Sequence, residues 1–341
     1  MVNQETSNVI SVLKCLLCIG VVCIHSTFNE DSLGVSGNDI SHFLIFSDFF
    51  VYDFLDKSCV PVFFVISGFL FFSNSLILDK ESYSRKLKSR VKSLLVPYVI
   101  ANAIYVLINI VAKRSLDISL FEFFDSWIGT NGFPADPPLW YIRDLMVLVV
   151  FSFVIYWLIQ KFSYVIPILA LVGWMVFPIL CDFEISLLRG LAFFILGAYI
   201  SIKQYDLLSF FRIKQFGVFF ICFYVIILLL SSILNIELLS RFSSVVGVVF
   251  WFSVAYLLYN KKQISCSKYV VTGSIFVYLY HYYLAILIPR ALMMVFGVSS
   301  FKVFIFYAIG VITTICILFI VYHAMNKYFK KLTTIVVGYR V

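Results

Sequence analysis

A lysine and a histidine stand eleven residues apart in the first apolar segment of the chain, at Lys14 and His25. At about 100° per residue, this spacing places both side chains on one face of a helix. A neutral imidazole can accept a proton at cellular pH, so His25 could activate a nearby alcohol. Lys14 lies roughly 16 Å away along the helix axis, too far to bond to His25, and we expect its charge to meet a ligand or a carboxylate deeper in the bundle.

The composition is that of an integral membrane protein. Of 341 residues, 62% are hydrophobic and 13% are charged, with a mean hydropathy of +1.01, whereas soluble domains carry roughly 25% charged residues. Apolar runs recur along the whole length, so we predict an all-α polytopic protein with a single membrane domain over 1–341 and no fused soluble domain. The first run lacks a charged leader and a cleavage site, which indicates a retained helix rather than a signal peptide.

About 20 apolar residues cross a bilayer, and on that basis the sequence predicts ten transmembrane helices. They lie near 9–28, 59–78, 94–112, 139–159, 164–181, 186–202, 215–234, 242–260, 270–290 and 302–325. Basic residues concentrate on the side of the termini, above all in the connecting segment 79–93, so the positive-inside rule predicts that both termini are cytoplasmic. On the other side, 29–58 and 113–138 are predicted as long outer loops, the first lying along the interface.

The net charge of +8 is therefore a topology signal, and we expect no nucleic-acid partner. A basic segment facing anionic membrane lipid explains most of it. The eight cysteines show no metal-ligand spacing with histidine, so no metal site is expected.

Other ionisable residues fall within the predicted spans, in the same outer half as His25 by residue counting: Arg143, Asp144, Arg189, Arg290, with His281 in mid-span. Each has a functional and a structural interpretation. The last two arginines could bind an anionic ligand or extend into lipid headgroups. The Arg143–Asp144 pair could only join helices, and His281 could be a hydrogen-bonded core residue.

Several motifs in fixed order carry a family resemblance. They are Lys14-x10-His25, Val60-Pro-Val-Phe-Phe-Val-Ile-Ser67-Gly68-Phe-Leu70, the basic run Arg90-Val-Lys-Ser-Leu-Leu-Val-Pro97-Tyr98, Leu139-Trp140-Tyr-Ile-Arg143-Asp144-Leu145, and Tyr278-x-x-His281. Together they resemble the acyltransferase family 3 membrane proteins, bacterial enzymes that move acyl groups from acyl-CoA onto envelope polysaccharides. Within the second motif, Ser67-Gly68 permits close helix approach. The family's cytoplasmic Arg-x-x-Arg is absent as such.

The resemblance implies a membrane O-acyltransferase of the bacterial inner membrane, with acyl-CoA as donor and a hydroxyl of an envelope polysaccharide or lipid-linked sugar as acceptor. Acetyl is the commonest group in the family, and succinyl remains open. The implied catalytic residues are His25, as base or acyl acceptor, and Lys14. The implied donor-binding residues are Arg85, Lys86, Lys88, Arg90 and Lys92; those on the acceptor side are Trp140, Arg143, Asp144, Arg189, His281 and Arg290.

The alternative is a transporter or flippase for an anionic envelope glycolipid. Intramembrane arginines and an aromatic outer surface suit such a cargo as well. The sequence shows no inverted repeat and no matched pair of broken helices that would favour it.

Overall fold

The structure is a computed structural model that describes residues 2–28, 37–73, 79–113, 120–129, 132–181, 186–262 and 266–339. Within these ranges every regular element is a helix, as predicted. The helices are α1 (Gln4–His25), α2 (Gly37–Phe46, Ser47–Asp56 and Lys57–Phe72 in succession), α3 (Lys80–Arg90, Val91–Leu95 and Val96–Lys113 in succession), α4 (Leu120–Ile128), α5 (Trp140–Val150, after a 3₁₀ turn at Pro137–Leu139), α6 (Ser152–Phe162), α7 (Val165–Cys181), α8 (Ser186–Ile202), α9 (Lys214–Leu234), α10 (Glu237–Lys262), α11 (Lys268–Tyr280), α12 (Tyr282–Phe296), α13 (Ser300–Tyr328) and α14 (Lys330–Val336).

Six of the described helices are long and apolar enough to cross a bilayer, and up to eight if each of two bent pairs forms one span. The pairs are α5–α6, bent by 60°, and α11–α12, bent by 70°. Helices α7 and α8 have 17 residues each, which at 1.5 Å per residue fall short of a roughly 30 Å hydrocarbon core. A polytopic helical membrane protein is thus confirmed, while the number ten and the side of the termini remain predictions.

The prediction of an outer loop over 29–58 is wrong for its described part, because α2 is already helical from Gly37. Phe43, Val51 and Leu55 are buried, whereas the intervening Asp48 is exposed. The acids lowered the average hydropathy of a segment that still buries one apolar face. The middle of this helix, Ser47–Asp56, is wound as a π-helix. Residues 29–36 lie outside the described ranges.

The predicted connecting segment 79–93 is likewise helical and forms the first half of α3. Asp79 caps its start by accepting a hydrogen bond from the Ser82 backbone N–H at 2.8 Å. Lysine and arginine are good helix formers, so the basic run extends the spanning helix instead of looping away. The predicted loop 113–138 contains α4 and the turn that opens α5; 114–119 and 130–131 are not described.

Helices α2 and α8 approach each other backbone to backbone. A Cβ added at Gly68 would overlap the carbonyl oxygen of Phe194, and one added at Gly197 would overlap that of Val65. Glycine is the residue that allows this approach. The expectation of close helix contact at Ser67-Gly68 is therefore confirmed.

We predict that Gly197→Ala destabilises the protein by about 2–3 kcal/mol or prevents folding, because the added methyl group meets backbone atoms that cannot give way. The measurement is the thermal unfolding midpoint of the detergent-purified variant. Gly173→Ala in α7 is the matched control, since a Cβ there meets nothing within 4 Å. Equal midpoints for the two variants would contradict the interpretation.

Candidate functional site

Helix α1 carries Lys14 and His25 to two different cavities. It is one continuous helix from Gln4 to His25, with Asn3 capping its start. Lys14 lines a cavity toward the end of the bundle that holds the basic half of α3, and His25 lines a cavity toward the other end. We call these the inner and outer cavities, after the predicted orientation.

The inner cavity measures about 310 Å³ and lies between α1, α2, α3, α5 and α11. Its lining is mostly apolar, and it includes three cations, Lys14, Arg90 and Lys268. An apolar tunnel with a few basic groups can take a ligand that is an apolar chain with anionic groups at one end.

The outer cavity measures about 480 Å³. Its lining includes His25, Asp56, Trp140, Tyr282 and Arg290. It therefore combines a base, an aromatic platform and a guanidinium in one concave surface.

A third space of about 50 Å³, here called the chamber, lies between the two and shares lining residues with each. With the inner cavity it shares Phe63, Tyr141 and Tyr278. With the outer cavity it shares Ile24, His25, Asp56 and Trp140; its remaining lining is Val21, Val60 and Pro138. His25 thus lines both the outer cavity and the chamber, and the chamber in turn shares three wall residues with the inner cavity.

Hydrogen bonds hold the aromatic residues between the chamber and the inner cavity. The hydroxyls of Tyr141 and Ser67 are 2.8 Å apart, and the Tyr141 hydroxyl also lies 3.3 Å from the Phe63 carbonyl oxygen, to which it can donate. The Tyr278 hydroxyl donates to the Pro138 carbonyl at 2.6 Å. These hydrogen bonds fix the positions of both phenol groups between the chamber and the inner cavity.

His25 contacts His281, with 5.2 Å between ring centroids, and the edge of Tyr282 at 5.5 Å. His281 is fully buried at the junction of α11 and α12. Its Nδ1 lies 2.9 Å from the carbonyl oxygen of Tyr278 and 3.2 Å from that of Val277. Because only a protonated Nδ1 can donate to carbonyl oxygens, Nε2 carries the lone pair, and among the described residues it has no hydrogen-bond partner.

Arg189 lies beside the chamber without lining it. Its guanidinium is 5.2 Å from the centre of the Trp140 ring and 3.9 Å from Asp56. Arg290 lines the outer cavity directly. The Nε of each arginine is buried and has no hydrogen-bond partner among the described residues.

The predicted donor-binding residues separate into two groups. Arg90 lines the inner cavity and lies over the Phe71 ring at 5.7 Å. Lys86 bonds to the Phe71 carbonyl beside it. The remaining three, Arg85, Lys88 and Lys92, are exposed and line none of the three cavities. Their role in donor binding stays a prediction.

Arg143 and Asp144 lie away from the cavity linings. Arg143 donates to Asp144 at 2.9 Å and to the carbonyl oxygens of Gly129 and Gly132 at 2.9 and 3.2 Å. Asp144 accepts from Ser186 at 2.7 Å. These contacts join α5 to α8 and to the segment after α4, which fits the structural alternative; an acceptor-binding role stays a prediction.

Sequence reasoning missed several lining residues. Asp56 lies in the segment 29–58 that is predicted as an outer loop, and Lys268 is one of the basic residues on the side of the termini that predict the orientation. Tyr141 and Tyr278 stood inside the quoted motifs without a role. Their lining of both the chamber and the inner cavity depends on which helices are neighbours, and residue spacing along the chain does not give this.

Asp136 was missed as well. It precedes the Pro137–Leu139 turn, its side chain is buried, and neither carboxylate oxygen has a hydrogen-bond partner among the described residues. Its backbone N–H donates to Asn102 at 3.2 Å. Burial raises the pKa of the Asp136 carboxyl well above its ordinary value, because water no longer solvates the charged form.

The family model for the acyltransferase 3 family, described as an acyltransferase domain, matches residues 8–323. The chain belongs to this acyltransferase family. It is also similar to the succinoglycan biosynthesis protein ExoH of Rhizobium meliloti (strain 1021), with 23% identity over 187 residues, which cover 52% of this chain and 49% of that protein. The chain thus spans about half the length of the curated relative it matches. No solved structure matches.

The family membership confirms the resemblance found from the motifs. Among the described residues no cluster of three or more His, Cys, Asp or Glu could hold a metal ion.

We predict that Asp136→Asn stabilises the protein increasingly as pH rises. The unfolded carboxyl ionises near pH 4 and the buried one at much higher pH, so between these values rising pH favours the unfolded wild type by up to about 1.4 kcal/mol per pH unit. The neutral amide removes this penalty. Thermal midpoints in detergent at pH 5 and pH 8 test it, with exposed Asp48→Asn as control; a gain that does not grow with pH would contradict it.

Proposed function

We propose that this protein is a membrane O-acyltransferase that moves an acyl group, acetyl in the first instance, from cytoplasmic acyl-CoA to a hydroxyl of an envelope polysaccharide or lipid-linked sugar. One observation carries the proposal: His25 lines both the outer cavity and the chamber, which lies against the inner cavity at Phe63, Tyr141 and Tyr278. The family membership supports acyl transfer, and the name of the relative supports a polysaccharide acceptor.

The inner cavity suits the donor. Coenzyme A carries phosphate groups at one end and a long, largely uncharged arm that ends in the thioester. Arg90 and Lys268 offer cations for the phosphates, and the apolar remainder of the lining accommodates the arm. In this arrangement the thioester reaches Tyr141 and Tyr278, next to the chamber.

The outer cavity suits the acceptor. Trp140 presents a ring on which a sugar can stack, and Arg290 can bind an acidic group of the sugar or of its lipid carrier. His25 faces the same cavity, so the attacking hydroxyl and the base share one space. Arg189, over the Trp140 ring, keeps that ring in place.

The chemical step needs only His25, the sugar hydroxyl and the thioester, and it can follow either of two routes. In direct transfer, His25 accepts the hydroxyl proton while the sugar oxygen attacks the thioester carbonyl; the carbon–sulfur bond breaks and the thiolate of CoA takes the proton. In the covalent route, the imidazole attacks first and the acyl-imidazole then transfers to the sugar oxygen. Both give an O-acyl ester and free CoA.

His281 acts through His25 in this proposal. Its Nδ1–H is occupied by two backbone carbonyls, so Nε2 is left as an acceptor close to the His25 ring. We propose that the His25 ring turns during the reaction so that one of its N–H groups donates to this nitrogen, which has no partner among the described residues; that bond would fix which nitrogen of His25 faces the substrate. His281 is thus a positioning residue rather than an acceptor-binding one.

We predict that His25→Ala lowers transfer by at least about 10²–10⁴-fold, the usual contribution of a general base, while the protein still folds. Radiolabel transferred from acetyl-CoA to the glycan fraction of membranes measures this. His323→Ala is the matched control: its exposed ring bonds to Tyr269 at 2.9 Å and lines none of the three cavities. Substantial transfer by a folded His25→Ala variant would remove His25 from catalysis.

We predict that Arg90→Ala weakens acyl-CoA binding by about 10- to 100-fold, because a charge-assisted bond contributes roughly 1.5–3 kcal/mol. Equilibrium binding of labelled acetyl-CoA, with free CoA as competitor, measures it. The control is Lys161→Ala, a cation that lies over the Trp157 ring instead. Unchanged affinity would contradict the phosphate assignment, and absence of any saturable binding would favour the transporter alternative.

A further inference from the structure

Helix α3 changes its winding at the wall of the inner cavity. Between its basic half and its spanning half, Val91–Leu95 is wound as a π-helix, and the Val96 N–H donates to a carbonyl oxygen five residues back. Pro97 gives a reason for this winding, because it has no N–H for the Ser93 carbonyl oxygen and its ring would collide with that oxygen in an α-helix. Three residues of this stretch line the inner cavity: Ser93, Leu94 and Pro97.

Arg90 stands immediately before the π-wound turn and lines the same cavity. Turns of this kind occur mostly as single irregularities within an α-helix, and a change in winding redirects the helix that precedes it. The position of the Arg90 guanidinium therefore depends on what packs against the turn. Toward α2, the guanidinium lies 5.7 Å from the centre of the Phe71 ring.

A second contact comes from the segment that contains α14. Helix α14 packs against the spanning half of α3, and we call residues 330–339 the α14 segment. Val336 and Val337 are buried. The ammonium group of Lys92, within the π-wound turn, lies 5.9 Å from the centre of the Tyr339 ring.

The closest approach of the α14 segment to α3 is at Gly338. Its φ of +76° lies in the left-handed region, and a Cβ built there would be 2.7 Å from the carbonyl oxygen of Ser93 and 2.9 Å from Cγ of Pro97. Both observations require glycine. Because Ser93 and Pro97 line the inner cavity, the α14 segment packs directly against the turn that forms the cavity wall.

We propose that the α14 segment positions the donor site, by holding the π-wound turn of α3 so that Arg90 faces the inner cavity. The inference rests on the proposed function, because it assigns the segment to the binding of acyl-CoA. No residue of the segment lines any of the three cavities. Its effect on the donor therefore passes through α3.

The test is a double-mutant cycle on the detergent-purified protein, read as the affinity for labelled acetyl-CoA in wild type, Gly338→Ala, Arg90→Ala and the double variant. We expect Gly338→Ala to weaken binding at least about fivefold, part of what a charge-assisted bond contributes. In the Arg90→Ala background, the same substitution should change affinity less than about twofold, because the group that it displaces is already absent. A general loss of structure would weaken binding equally in both backgrounds.

Gly297→Ala is the matched control. Gly297 has a φ of +75°, and a Cβ there meets nothing within 4 Å, so this variant carries the same backbone strain without a collision. Val337→Ala, which removes a buried side chain from the α14 segment, replaces Gly338→Ala if that variant does not fold.

Two results would overturn the inference and leave the donor cavity intact: equal affinities for the two glycine variants, or equal losses with and without Arg90. No saturable binding of acetyl-CoA by the wild type would instead overturn the proposed function, and the role of the α14 segment with it.

Discussion

The imidazole of His281 supplies the hydrogen-bond donor that carbonyl oxygens need where a helix is broken inside a membrane. Where α11 ends and α12 begins, the carbonyl oxygens of Val277 and Tyr278 need a donor, because no water is at hand in the hydrocarbon region. The ring Nδ1 supplies it, and the chain turns by 70°. With this turn, Tyr278 lines the chamber and Tyr282 lines the outer cavity. The second nitrogen of the same ring is left beside His25.

The site residues that could be predicted from sequence are the ionisable residues that stand within an apolar segment. Lys14 and His25 stand in an apolar run, and the structure finds each in the wall of a cavity. Asp56 could not be found this way, because the acidic residues among the phenylalanines of its segment predict an outer loop. The segment is instead a helix that buries one face. Lys268 stands at a helix start, where a cation is expected on topology grounds alone. What makes both of them lining residues is the arrangement of neighbouring helices.

The same argument explains why the arginines differ. Arg143 and Arg290 look alike in the sequence, each within an apolar segment near its predicted outer end. The guanidinium of Arg143 donates to Asp144 and to backbone carbonyl oxygens. Arg290 lines the outer cavity, and its buried Nε has no hydrogen-bond partner among the described residues. A buried donor without a partner costs free energy, and a bound acceptor, as proposed for the outer cavity, would recover that cost. The all-helical membrane fold followed from the apolar composition, whereas the ten predicted spans, the two bends and the extended ends of α2 and α3 show that apolar run lengths did not give the individual helices.

The backbone contact between α2 and α8 has a mechanical consequence. With the glycines Gly68 and Gly197 set against carbonyl groups of the opposite helix, the two helices cannot slide or rotate against each other without a collision of main chains. The two helices therefore form one rigid unit, and Val60 and Phe63 lie on its side toward the chamber. Any widening of the chamber must then come from the facing helices α5 and α11, which carry Tyr141 and Tyr278.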